Sequence, residues 1–248
     1  MTKAFQNDTL SIALETNGRG FQGFIIELPG AFVRDRTEQE ALSKTIKEAT
    51  SYAKWLEISA PTSIKARVVQ RHQCELTVED GDCEILFDRD QDALAETEFA
   101  DLSDLVKHSG QTFSRLYESV SLKDWVDSSK SRPTFYGQTP KTVRENFDHV
   151  KGAQYYYLSR TKTSFQFVKD GDFLAIRQQC LDQLTELYSK NGNSEVFSAD
   201  DENWTLAKIL RRFIWHDRIH ARAIVRILQK QQSQGLIQDY KDPFCFQL

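Results

Sequence analysis

Cysteine is scarce in this 248-residue chain: there are four, and they follow no disulfide framework. No signal peptide is evident, and no apolar run reaches the length of a membrane span. These absences suit a reducing cytoplasm and argue against a membrane protein. A glycine-rich phosphate loop is missing, as is any internal repeat, so neither a nucleotide-cradling turn nor a solenoid is expected. Basic residues are not in excess. The formal net charge is −4 and the isoelectric point near 5.8, which argues against a dedicated nucleic-acid binder.

What the chain does have is a strongly periodic helical segment, 204–231. Leu206, Ile209, Leu210, Phe213, Ile224 and Ile227 trace its apolar stripe, and His216 and His220 stand on that stripe where apolar side chains are expected. Side chains four apart on a helix are neighbours, close enough for two imidazoles to share one metal ion. Two inward histidines without a metal would each need a buried hydrogen-bond partner. The pattern therefore predicts a metal site.

An open transition-metal site generally has three protein ligands and a fourth position for water or substrate. No histidine or glutamate follows His220. Asp217 stands where H-E-x-x-H zinc proteases carry a glutamate, and their downstream third ligand is missing, although Asp239, Asp242 and Cys245 remain formal candidates. The third ligand is therefore sought upstream. His108 belongs to a helix at 103–120, beside Asp101, Asp104, Thr112 and Arg115, on what reads as the wet face. His149 belongs to a helix expected to start at Thr139-Pro140, next to the stripe of Val143, Phe147, Val150 and Tyr157. Gly152 and Ala153 beside it would let another helix approach closely. His149 is the preferred ligand. Asp217, Asp148 and Glu145 are the carboxylates nearest in sequence, and read as surface or supporting groups rather than general bases.

The stretch T-P-K-T-V-R-E-N-F-D-H-V-K-G-A-Q-Y-Y-Y-L-S-R resembles the second helix of the DinB-like family, and W-T-L-A-K-I-L-R-R-F-I-W-H-D-R-I-H-A-R its last. The resemblance covers 103–230 and implies a four-helix bundle, with helices near 103–120, 139–162, 172–191 and 204–231. It implies a divalent metal, commonly zinc or nickel, held by His149, His216 and His220. Some members of that family transfer a low-molecular-weight thiol such as bacillithiol or mycothiol. A coordinated thiol is deprotonated to the nucleophilic thiolate, and the same metal could instead activate water for hydrolysis.

The first ninety residues read differently. L-S-I-A-L and G-F-I-I-E-L flank Asn17-Gly18, a hairpin signal. Thr37 and Glu40 form a capping box before a helix whose apolar face carries Leu42, Ile46, Ala49, Ala53 and Leu56. A second hairpin is expected about Asp80-Gly81, pairing Val78 with Cys83, Leu76 with Ile85 and Cys74 with Phe87. His72 and Cys74 fall on one strand face but read as a packed edge, because no further ligands adjoin them. Arg211, Arg218, Arg222 and Arg226 read as a solvated helix face turned away from the histidines.

The run G-F-Q-G-F-I-I-E-L-P-G-A-F-V-R-D-R-T-E-Q-E-A-L-S-K-T-I-K-E-A, with its Leu28-Pro29-Gly30 corner and T-x-x-E-A helix start, resembles the HicB-like family. That implies a small α/β domain with a binding role. No DNA-binding segment is attached, so toxin neutralisation is not carried over. The sequence is thus read as an α+β chain of two domains: a HicB-like module at 1–90, a linker at 91–102, in which Leu94 and Phe99 dock, and a DinB-like bundle at 103–248. The expected function is a divalent-metal-dependent thiol transferase or hydrolase. The rival is a non-catalytic protein whose first module recognises a protein partner and whose bundle is scaffold.

Overall fold

The Asn17-Gly18 signal does make a hairpin in the computed structural model, which describes residues 8–59, 63–134, 137–162, 171–191 and 195–246. β1 (Thr9–Thr16) and β2 (Phe21–Ile25) pair antiparallel, with Thr16 opposite Phe21 and Ile12 opposite Ile25. The Asn17 side-chain oxygen accepts from the amides of Arg19 and Gly20, closing the loop between the strands. β3 (Phe32–Asp35) adds to β2. Thr37 then caps α1 (Glu38–Ser43) by accepting from the Glu40 amide at 3.2 Å. α2 (Thr45–Trp55) follows, and β4 (Lys65–Gln73) returns parallel to β1, giving the order β3-β2-β1-β4.

Four long helices follow: α3 (Glu96–Glu118), α4 (Val143–Ser159), α5 (Phe173–Asn191) and α6 (Leu206–Ser233). Short strand pairs interrupt them, β5 (Pro133–Thr134) with β6 (Gly137–Gln138) and β7 (Phe197–Ala199) with β8 (Glu202–Trp204). α3 and α4 each pack on both α5 and α6. The chain is therefore α+β, a small N-terminal sheet followed by helices. Among the described residues, no helix is long and apolar enough to cross a membrane.

Two helix starts differ from expectation. α4 begins at Val143 because Thr142 is its cap: the hydroxyl accepts from the Glu145 amide and the Glu145 carboxylate accepts from the Thr142 amide. Thr139-Pro140 lies before it. α3 begins at Glu96, inside the expected linker, and puts Leu94 and Phe99 in the core. Tyr188 of α5 holds them, its hydroxyl donating to the Leu94 carbonyl at 3.0 Å and its ring stacking on Phe99 at 4.4 Å.

The second hairpin does not form. β4 spends its pairing on β1, a 3-10 turn occupies Val78–Asp80, and Cys83, Ile85 and Phe87 form no ladder with β4 but pack with Ala13, Phe24 and Phe32 of the sheet and Trp215. Side chains hold that segment where a ladder was expected. Glu15 accepts from the amides of Glu84 and Ile85, while Arg211 and Arg212 donate to the carbonyls of Ile85 and Cys83.

The basic stripe of α6 is not the solvated face expected. Arg211 and Arg218 are buried, while Arg222 and Arg226 stay partly exposed and line the same cavity as the histidines rather than turning away from them. Arg211 is buried and pairs with Asp90 at 2.7 Å. Arg218, 0 % exposed, pairs with Glu48 of α2 at 2.9 Å and lies over the rings of Tyr52 and Trp55. Arg222 pairs with the same carboxylate. The sheet module sits on the helix face that the sequence assigned to water. One core accordingly runs from Leu10, Ile12 and Tyr52 through Val106 and Phe113 to Ile224. At its seam Gly30 (φ +83) comes so close to α6 that a Cβ there would stand 2.5 Å from Ile214 Cγ2.

Burial alone would raise the Glu48 carboxyl, but Arg222 and Arg218 outweigh it and hold it below its usual range. A carboxyl depressed on folding contributes stability that is complete above its unfolded pKa and lost as the pH falls through the folded one. Glu48→Ala is expected to cost about 3–5 kcal/mol in chemical denaturation, because it leaves Arg218 buried and unpaired. Disrupting the exposed Arg71–Glu38 pair by Glu38→Ala should cost about 1 kcal/mol or less. Glu48→Gln should also flatten the loss of stability in acid. Equal costs at Glu48 and Glu38 would show that the seam is not held this way.

Candidate metal centre

Three imidazoles meet where α4 packs on α6. His149 comes from α4, His216 and His220 from successive turns of α6, and their nitrogens lie within 4.8 Å of one another. The closest approach is His149 Nε2 to His216 Nε2, at 3.2 Å. Two nitrogens each roughly 2.0–2.1 Å from a tetrahedral zinc stand about 3.3 Å apart, so this pair is spaced for a shared cation. One N–H donating to a bare nitrogen would give the same distance.

The third ring carries more information. His220 Nδ1 lies 2.9 Å from Asn146 Oδ1. The buried Asn146 amide is oriented by its own donor, Nδ2, which bonds the Thr142 carbonyl at 2.8 Å. Its oxygen can only accept, so His220 Nδ1 bears the proton and Nε2 keeps its lone pair. Among the described residues, no carboxylate joins the trio.

Burial keeps the rings neutral, the form that binds metal. It lowers His149 to about 4, and holds His216 and His220 well below the ordinary imidazole value. For His216 the neighbouring His220 and His149 add to burial, and for His220 the neighbouring His149 and Arg226 do so.

The nearby carboxylates are engaged elsewhere. Asp217 is wholly buried, where Arg177 of α5 holds both its oxygens at 2.9 Å and Ser109 of α3 donates to it at 2.7 Å. Arg177 Nε reaches Gln154 of α4 at 2.6 Å, so one polar knot links all four long helices beside the trio. Glu145 caps α4, and Asp148 is exposed.

The trio opens on a cavity of about 1270 Å³ between the sheet and the helices. Phe32, Trp215 and Tyr157 give it apolar walls, and Arg34, Arg132 and Asp82 line its polar side. Gly152 has nothing within 4 Å of its would-be Cβ. The small residues beside His149 widen the cavity rather than admit a helix.

His108 is not part of this site, nor is it a surface residue. It is half-buried against the Trp55 ring, centroids 5.2 Å apart, at the junction of α2 and α3. Asn146 and Gln154 were missed by the sequence reading. Both are 1 % exposed, polar residues on the inner face of α4, and that mismatch of chemistry with face was the available signal. The chain matches no protein family, no curated protein and no solved structure.

A lowered imidazole pKa has a sign consequence. Between about 4 and 6.5 the folded His149 binds fewer protons than the unfolded one, so stability should fall as the pH drops through that window. In chelator-treated protein, the His149 ring signal in NMR is expected to titrate near pH 4, with His216 and His220 lower still. A trio ring that titrates near 6.5 would show that the site is not buried as described.

Proposed function

We propose that His149, His216 and His220 hold one divalent cation, zinc or nickel, and that the chain is a metal-dependent enzyme of the DinB-like type. In this reading the four long helices are the DinB-like bundle, and the sheet with α1 and α2 is the HicB-like module. The observation that carries it is the convergence of three neutral imidazoles at the wall of a large cavity. When bound, the cation would supply Lewis acidity and lower the pKa of a thiol or water at its fourth position. His149, His216 and His220 fix the geometry, and Asn146 sets the tautomer of His220. Trp215, Tyr157 and Phe32 line the cavity onto which the trio opens and supply its apolar walls. Three neutral ligands leave the double positive charge uncompensated, which favours an anionic fourth ligand such as a thiolate. A small thiol is therefore the proposed partner, in keeping with a reducing cytoplasm and four free cysteines.

The close His149–His216 contact also supports a rival: a metal-free hydrogen-bonded pair in a scaffold whose sheet module binds a protein. Metal content separates the two. Protein purified without a histidine tag is expected to lose one equivalent of divalent cation on His216→Ala and none on His108→Ala. Equal contents in wild type and His216→Ala overturn the assignment. In cobalt-loaded protein, adding a low-molecular-weight thiol should add thiolate-to-metal absorption over the thiol-free spectrum, and His220→Ala should abolish that increment. A site that ignores thiol and azide is closed, and the binding reading then stands.

A further inference from the structure

A second set of ligand-type side chains gathers at the β4 edge of the sheet. Glu15 on β1 and His72 on β4 are partners in the parallel ladder. Cys74 follows immediately after β4, its amide bonded to the Thr16 carbonyl at 3.0 Å. Glu84 arrives from the segment that packs on the sheet in place of the expected hairpin. One carboxylate oxygen each of Glu15 and Glu84 and the Cys74 sulfur lie within 4.8 Å of one another. His72 and Cys74 were dismissed as ligands because nothing adjoined them in sequence, but the fold brings two carboxylates to them.

Glu15 is the informative member. It is 0 % exposed, and its Oε1 accepts the amides of Glu84 at 2.8 Å and Ile85 at 3.1 Å. Its Oε2 is also buried and, apart from the Cys74 thiol of the same cluster, has no hydrogen-bond partner among the described residues. A buried carboxylate oxygen is costly unless a proton or a cation meets it. Cys74 is buried too. Glu84 and His72 are each 37 % exposed, which leaves the cluster reachable from solvent, and His72 Nε2 meets Glu84 Oε1 at 2.9 Å.

We propose that Glu15, Cys74 and Glu84 form a second divalent-cation site, with His72 orienting the Glu84 carboxylate. The sulfur ligand selects a first-row transition ion such as Zn²⁺ or Co²⁺ over Mg²⁺ or Ca²⁺. Binding forms one metal–sulfur and two metal–oxygen bonds, releases the Cys74 thiol proton to water with any proton on Glu15, and changes no oxidation state. Of the two sites only this one contains a cysteine. It shares no residue with the histidine trio, so either assignment can fail alone.

The test uses full-length His216→Ala protein, which disables the trio, loaded with Co²⁺ and given no added thiol. Thiolate-to-cobalt charge-transfer absorption is expected, and should vanish when Cys74→Ser is added. Glu84→Gln, at the exposed rim, should weaken Co²⁺ binding by more than about tenfold. Circular dichroism checks that each variant is folded. If Cys74→Ser does not fold, Glu84→Gln and Glu15→Gln decide. No charge-transfer band overturns the proposal. So does a band that survives Cys74→Ser, which would place it on Cys83, Cys180 or Cys245. A band unaffected by both glutamate variants would mean a lone thiolate, and overturns it as well.

Discussion

A guanidinium removed from water is costly unless an anion meets it, and among the described residues the anion that Arg218, at the middle of α6, meets is Glu48. That requirement fixes α2, and with it the sheet, on one side of α6. Arg222 shares the same carboxylate one turn on, and Arg211 ties the chain after β4 through Asp90. Residues two apart on a helix point roughly 200° from one another, so the face that carries Arg218 is opposite the face that carries His216. The Arg218–Glu48 pair can therefore seat the sheet module on the side of α6 away from His216, while Arg222 shares the cavity that the trio lines. Between the seated module and α4 a cavity is left, and the trio lines it.

The polar knot of Arg177, Asp217, Gln154 and Ser109 has the complementary task. Each of the four long helices contributes one side chain, and the bidentate Arg177–Asp217 contact sets distance and angle together. Asp217 is the residue next to His216, so this contact controls how α6 is rotated. Rotation decides where the two imidazoles point. A buried pair of this kind contributes little net stability against an apolar substitute, yet removing one partner strands the other. Its value here is orientation.

Periodicity made α3, α4 and α6 legible, because each has an apolar stripe and a polar remainder, whereas α5 was expected only from the resemblance to the DinB-like family. It failed where a polar stripe meets another part of the chain. Arg211 and Arg218 read as solvated since nothing local to α6 names their partners, Asp90 and Glu48, 121 and 170 residues away. The same blindness misassigned His108, whose neighbour Trp55 lies on another element. The Asp80-Gly81 turn was real, with Gly81 at φ +100, but turn chemistry specifies a reversal and not the partner of the strand that follows. The histidine pair was legible because its spacing is local. His149 followed from a stripe argument on a second helix, and Asn146 went unseen because its role exists only once α4 and α6 are packed.

The fate of the carboxylates bears on which chemistry the proposed centre would favour. Asp217 is locked to Arg177, Glu145 is spent on the α4 cap, and Asp148 faces solvent. Hydrolysis at a single metal commonly uses a carboxylate that takes a proton from the bound water, as in the H-E-x-x-H proteases. The position equivalent to that glutamate is Asp217, and Asp217 is taken by Arg177. A thiol makes a smaller demand, because coordination alone deprotonates it. With three neutral imidazoles and, among the described residues, no carboxylate within ligand distance of them, the proposed centre would ask less of its surroundings in activating a thiol than in activating water.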